Sequence, residues 1–161
     1  MYKIIVSILL IFSGFQNIVG AEVKCNEKGN LYINQKIINN GDDVVFENEA
    51  LFPLRTIFEN LGAIVDWEEN TQSVSIDYNH NKYLCELKAP NPDFPDVKYI
   101  YVKDISNNEY FLLTPMSTGG MYRIINDSIY LYEDTGKRLF EAMGCQVDIR
   151  MNEIYISNMG V

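Results

Sequence analysis

Two stretches of the chain repeat one succession of apolar and polar positions. Leu54, Ile57, Phe58 and Leu61 recur at helical spacing, with Gly62 directly after them. Apolar residues three and four apart share one helix face, and a glycine just past the last of them is a left-handed helix stop. Pro53 is placed to open this helix, because the first helical N–H has no partner to lose. Ala63 to Trp67 and Ser73 to Asp77 then read as two strands around the turn at Glu68-Glu69-Asn70-Thr71. Further on, Lys137 to Met143 reads as the end of a second helix that stops at Gly144, its start left open. The segment Phe58-Glu59-Asn60-Leu61-Gly62-Ala63-Ile64-Val65-Asp66-Trp67 returns as Phe140-Glu141-Ala142-Met143-Gly144-Cys145-Gln146-Val147-Asp148-Ile149, identical at Phe, Glu, Gly, Val and Asp. Such self-similarity predicts two related supersecondary units, each burying an apolar face.

The remaining pattern is mostly β. Leu31 to Ile33 and Lys36 to Ile38 flank Asn34-Gln35 as a hairpin would. Val44 to Phe46, Tyr83 to Leu87, Val97 to Lys103, Tyr110 to Thr114, Tyr122 to Ile125 and Ile129 to Tyr132 are further strands between turn-forming residues. Three prolines, Pro90, Pro92 and Pro95, rule out regular structure over 88–96 and predict a stiff connection. The expectation is an α+β class: a first unit over 22–87, the Pro-rich connection, and a second, degenerate unit over 97–161. Each unit is expected to be a short antiparallel sheet packed on one helix.

The N-terminus differs from all of this. Lys3 precedes an apolar run from Ile4 to Phe15, and Val19-Gly20-Ala21 offers small residues ahead of Glu22. That is the order of a secretory signal peptide over 1–21, and the run is short of the ~20 apolar residues that span a bilayer. The expectation is a secreted or cell-surface protein with no stable membrane insertion after cleavage, the alternative being an uncleaved anchor. Lys3 is the only charged residue in 1–21, so its removal takes the net charge of −9 to −10. An acidic surface is repelled by phosphate backbones, which argues against nucleic acid as a partner.

Candidate chemistry is sparse. Of the cysteines, Cys25 and Cys85 both fall in the first half and are the candidate disulfide; Cys145 is left over as a small buried hydrophobe. The single histidine, His80, lies in a turn-like Tyr-Asn-His-Asn-Lys, so no metal-ligand spacing and no nucleophile–base pair is visible, and no cofactor is expected. Arg55 and Glu59, four apart on the first helix, read as an ion pair. Tyr99 and Tyr101 alternate with Ile100 and Val102, so if the aliphatic side is core the tyrosines form an exposed platform beside Lys98 or Lys103. Such a platform suits sugar rings or protein partners.

The stretch Asn48 to Trp67 resembles the signature of the copper amine oxidase N-terminal-domain-like family, whose members in Gram-positive bacteria are often called stalk-domain proteins. The carriers are Pro53-Leu54-Arg55, then Glu59-Asn60-Leu61-Gly62-Ala63, then Val65-Asp66-Trp67, completed by Thr71, Val74 and Ile76. Tyr32-Ile33-Asn34-Gln35-Lys36 is similar to the family's opening hairpin, with Gln35 where glycine is usual. The likeness is strong over 31–77 and weaker over 97–157, where Glu141 and Gly144 hold the positions of Glu59 and Gly62 while Ile149 replaces the tryptophan. The resemblance implies an appended domain outside the oxidase's catalytic core. One histidine cannot assemble that enzyme's copper site. The function expected is a non-catalytic module binding or spacing an envelope component, protein or cell-wall glycan. The alternative is a wall-polysaccharide hydrolase working through acidic residues.

Overall fold

A computed structural model describes residues 27–38, 44–46, 49–88, 98–111 and 120–159. The expected signal peptide, Cys25 and most of the Pro-rich connection lie outside the described residues. The elements run β1 (Glu27–Ile33), β2 (Lys36–Ile38), β3 (Val44–Phe46), β4 (Ala50–Pro53), α1 (Leu54–Asn60), β5 (Ile64–Glu68), β6 (Ser73–Tyr78) and β7 (Asn81–Lys88). They continue with β8 (Tyr99–Asp104), β9 (Glu109–Phe111), β10 (Tyr122–Ile125), β11 (Ser128–Tyr132), α2 (Glu133–Ala142), β12 (Cys145–Arg150) and β13 (Glu153–Asn158).

The class is α+β, and its local pieces follow from turn chemistry. Asn34-Gln35, Asn79-His80 and Asn126-Asp127 each place both residues at positive φ. That is the two-residue geometry whose twist matches the strands it joins, and asparagine tolerates it best among residues with a side chain. At the end of α1, Gly62 has φ 92°, its N–H donates to the Glu59 carbonyl at 3.0 Å, and the Ala63 N–H reaches back to Phe58 at 2.9 Å. This is the Schellman closure of a helix. Gly144 has φ 83° and donates to Glu141 at 3.1 Å.

One helix start differs from expectation, and the other, left open by the sequence, is defined by the structure. Pro53 ends β4 and caps α1 from outside, so the helix opens one residue later, at Leu54. α2 begins at Glu133, well before Lys137, with Glu133 and Asp134 in a first turn that favours negative charge. Gly136 makes that turn possible: a Cβ there would lie 2.8 Å from the Phe52 ring.

The larger departure is that neither unit closes its own sheet. One sheet runs β10-β11-β4-β3-β1-β13-β12, with β2 also paired to β1; the other runs β5-β6-β7-β8-β9. β1 changes partners along its length, pairing with β3 over Glu27 to Gly29, with β13 over Asn30 to Ile33 and with β2 over Leu31 to Ile33. Its pairing with β13 is parallel, with Leu31 opposite Ile154 and Ile33 opposite Ile156. β4 pairs with β11, placing Phe52 opposite Leu131, and β7 pairs with β8 across the Pro-rich connection. Burial explains the exchange. β4 and the central residues of β11 are buried, so each needs a paired neighbour to satisfy its backbone away from water.

One contiguous core results, running from Leu31 to Ile156. At its centre Phe58 and Phe140, the matched positions of the sequence repeat, touch with ring centroids 4.9 Å apart. Phe52 lies 5.8 Å from Phe140, and Tyr78 stands edge-on to Phe58 at 5.9 Å. The Tyr78 hydroxyl donates to Asn158 Oδ1 and lies 3.5 Å from Cys145 Sγ, a polar tie between the halves.

Candidate functional site

The residues of the Pro-Leu-Arg and Val-x-Trp motifs meet at one place. Leu54 and Arg55 open α1, Val65 and Trp67 lie on one face of β5, and Val74 faces Trp67 from β6. Together with Ile124, Asp127, Ser128 and Ile129 of the β10–β11 hairpin they line a slot of about 330 Å3. Leu54, Val65 and Val74 are buried, whereas Trp67 is 43% and Ile124 49% exposed. The slot is therefore the open end of the core, where the two sheets part above the first turn of α1.

Arg55 holds the β5 wall in place. Its guanidinium donates to the Val65 carbonyl at 2.9 Å and to Glu59 Oε1 at 3.2 Å. Both side chains of the expected ion pair are about half exposed, so its Coulombic value is small. The bond to Val65, on an edge strand, is the positional role. In the second half Glu141 faces Lys137 instead, at 4.0 Å.

The tyrosine face is a separate feature. Ile100 and Val102 are in the core and Tyr101 is 48% exposed, whereas Tyr99 is half-buried and packs against the core, so the expected pair of exposed tyrosines reduces to Tyr101. Lys103 lies with its Nζ 5.4 Å over the Tyr110 ring, while Lys98 stands over Tyr122. Glu86 and Lys88, opposite Tyr101 and Tyr99, pair with each other at 2.6 Å. Sequence reasoning missed another surface cluster: Tyr32 and Tyr155 stack at 4.6 Å across the β1–β13 pair. Glu153 accepts from Tyr155 at 2.6 Å and from Tyr32 at 3.3 Å, and these bonds help hold its carboxyl below the usual range. Only the pairing of the first and last strands reveals that stack.

Neither described cysteine is poised for chemistry. Cys85 is a free, fully buried thiol pushed up to about 12 by burial; Cys25, the disulfide partner expected for it, lies outside the described residues. Cys145 is free and buried, and burial raises its thiol also. Among the described residues no group of three His, Cys, Asp or Glu could hold a metal ion, and no helix is long and apolar enough to cross a membrane. In the slot, Arg55, Asp127 and Ser128 are the polar side chains. The mostly apolar, concave lining is of a kind that can hold a ligand. Sequence reading placed Trp67 and Arg55 only as structural positions and gave the β10–β11 hairpin no site role. Ile124 carries no local signal that it would line the same slot as Trp67.

Residues 32–91 match the family model of the copper amine oxidase N-terminal domain, so the chain contains that domain. The match ends before β8; the weaker likeness expected over 97–157 is not part of it. Among curated proteins and among solved structures, nothing matches the chain.

Proposed function

With residues 32–91 as a copper amine oxidase N-terminal domain, a non-catalytic type of domain, we propose that the protein is a secreted or cell-surface module that binds or spaces a component of the bacterial envelope. The observation that carries this reading is the convergence of the motif residues Leu54, Arg55, Val65 and Trp67 on an open apolar slot, rather than on a set of titratable groups. Half-exposed Trp67 and Ile124 on the lining of one slot are what a recognition surface supplies. The N-terminal pattern of Lys3, an apolar run and Val19-Gly20-Ala21 supports export.

The test is capture of ligands from wall and membrane fractions by the purified mature chain. Saturable retention of an envelope component is the expected result. Release of soluble product from wall material, lost on changing one carboxylate, would overturn the reading in favour of a hydrolase. Export is checked by intact mass: protein from its native host should begin within a few residues of Glu22, and an uncut form held in the membrane refutes cleavage.

A further inference from the structure

We propose that the slot between α1, β5 and the β10–β11 hairpin receives a bulky apolar side chain from an extended segment of a partner protein, with a basic residue beside it meeting Asp127. This rests on the binding-module reading and names the class of partner.

The walls decide the class. Six of the nine lining residues are aliphatic or aromatic, and the two most exposed of the six, Trp67 and Ile124, come from different strands, β5 and β10. A sugar ring would need a dense set of donors and acceptors for its hydroxyls. The slot offers few, because the Arg55 guanidinium already serves Glu59 and the Val65 carbonyl. A concavity of about 330 Å3 is at the small end of ligand sites, room for one or two side chains and not for a folded surface.

Charge decides the flank. Arg55 is answered by Glu59 at 3.2 Å, whereas Asp127, at the tip of the hairpin, makes no ion pair among the described residues, so the rim is left negative. The whole chain carries −9, which favours a basic partner and disfavours a second copy of the chain, since like fields repel. The mode is side-chain insertion. β5 is an edge strand, but Arg55 occupies its Val65 carbonyl, so the strand does not present a full row of free groups to an added strand.

Trp67 is the only tryptophan, so its emission reports on the slot alone. The probe is a blocked synthetic peptide of alternating leucine and lysine, compared with a leucine–glutamate peptide and with an N-acetylglucosamine tetramer. The Leu–Lys peptide should give a saturable blue shift that weakens with salt. Ile124→Asp should weaken binding at least tenfold, and Asp127→Lys should do so severalfold. Both positions are exposed, and if Ile124→Asp does not fold, Asp127→Lys carries the test. No saturable shift, an equal response to the acidic peptide or the oligosaccharide, or unchanged binding in the folded variants overturns the inference. Capture of an envelope component equally by parent and Ile124→Asp also overturns it while leaving the module reading intact; capture of nothing by the parent sinks both.

Discussion

If the two halves share one core, weakening the second must be felt in the first. Phe140 and Phe58 are fully buried, with centroids 4.9 Å apart and planes inclined by 40°. Truncating either to alanine removes the ring's transfer energy and leaves a cavity, about 3–5 kcal/mol in total. Set against a domain stability of about 5–15 kcal/mol, that shifts the midpoint strongly without necessarily abolishing folding. Leucine at either site is milder than alanine because it refills part of the ring's volume, which makes a double-mutant cycle measurable. The touching rings should show a coupling of about 0.5–1.5 kcal/mol. The assay is urea unfolding followed by Trp67 emission, which reports on β5, and by far-UV circular dichroism, which reports on all elements. Both probes should give one coincident transition, and Phe140→Ala should displace it equally in each. If Phe140→Ala moves the dichroism curve and leaves the Trp67 curve in place, the halves unfold separately and the exchanged-strand account is refuted.

Other expectations follow from single positions. Gly62→Val and Gly144→Val should each cost about 1–3 kcal/mol by thermal unfolding; a Cβ at either site meets nothing within 4 Å, so the cost is torsional, and unchanged melting would refute the helix-stop reading. Gly136→Ala should destabilise by about 1–3 kcal/mol through contact with Phe52, against the ~1 kcal/mol gain that helix propensity alone gives; a higher melting temperature would show that the ring yields. The Glu49 carboxyl is raised by burial and by the nearby Glu133 and Asp134. Its ionisation therefore opposes folding at neutral pH, and that opposition fades as pH falls through the raised value towards the ordinary 4.5. Glu49→Gln should stabilise slightly at pH 7 and lose that advantage below pH 4.5, and a variant equal to its parent at pH 7 counts against this. With one histidine in the chain, no stoichiometric copper should survive dialysis against a weak chelator, and copper retained tightly would reverse that expectation.

The sequence alone determined what depends on near neighbours. Gly62 and Gly144 end helices because only a residue without Cβ sits easily at φ 92° and 83°. Asn34-Gln35 and Asn126-Asp127 turn hairpins because short-range backbone geometry selects them. The domain over 32–91 was legible for the same reason, since its motif is nearly continuous along the chain. Strand partnership was not legible. Leu31 lies opposite Ile154 and Phe52 opposite Leu131, pairings that many apolar alternations would satisfy equally well and that only the closing of one core selects. The slot belongs to that second kind of information. Trp67 and Ile124 are far apart in the chain, and neither marks a site until β11 docks beside β4 and brings the β10–β11 hairpin over α1.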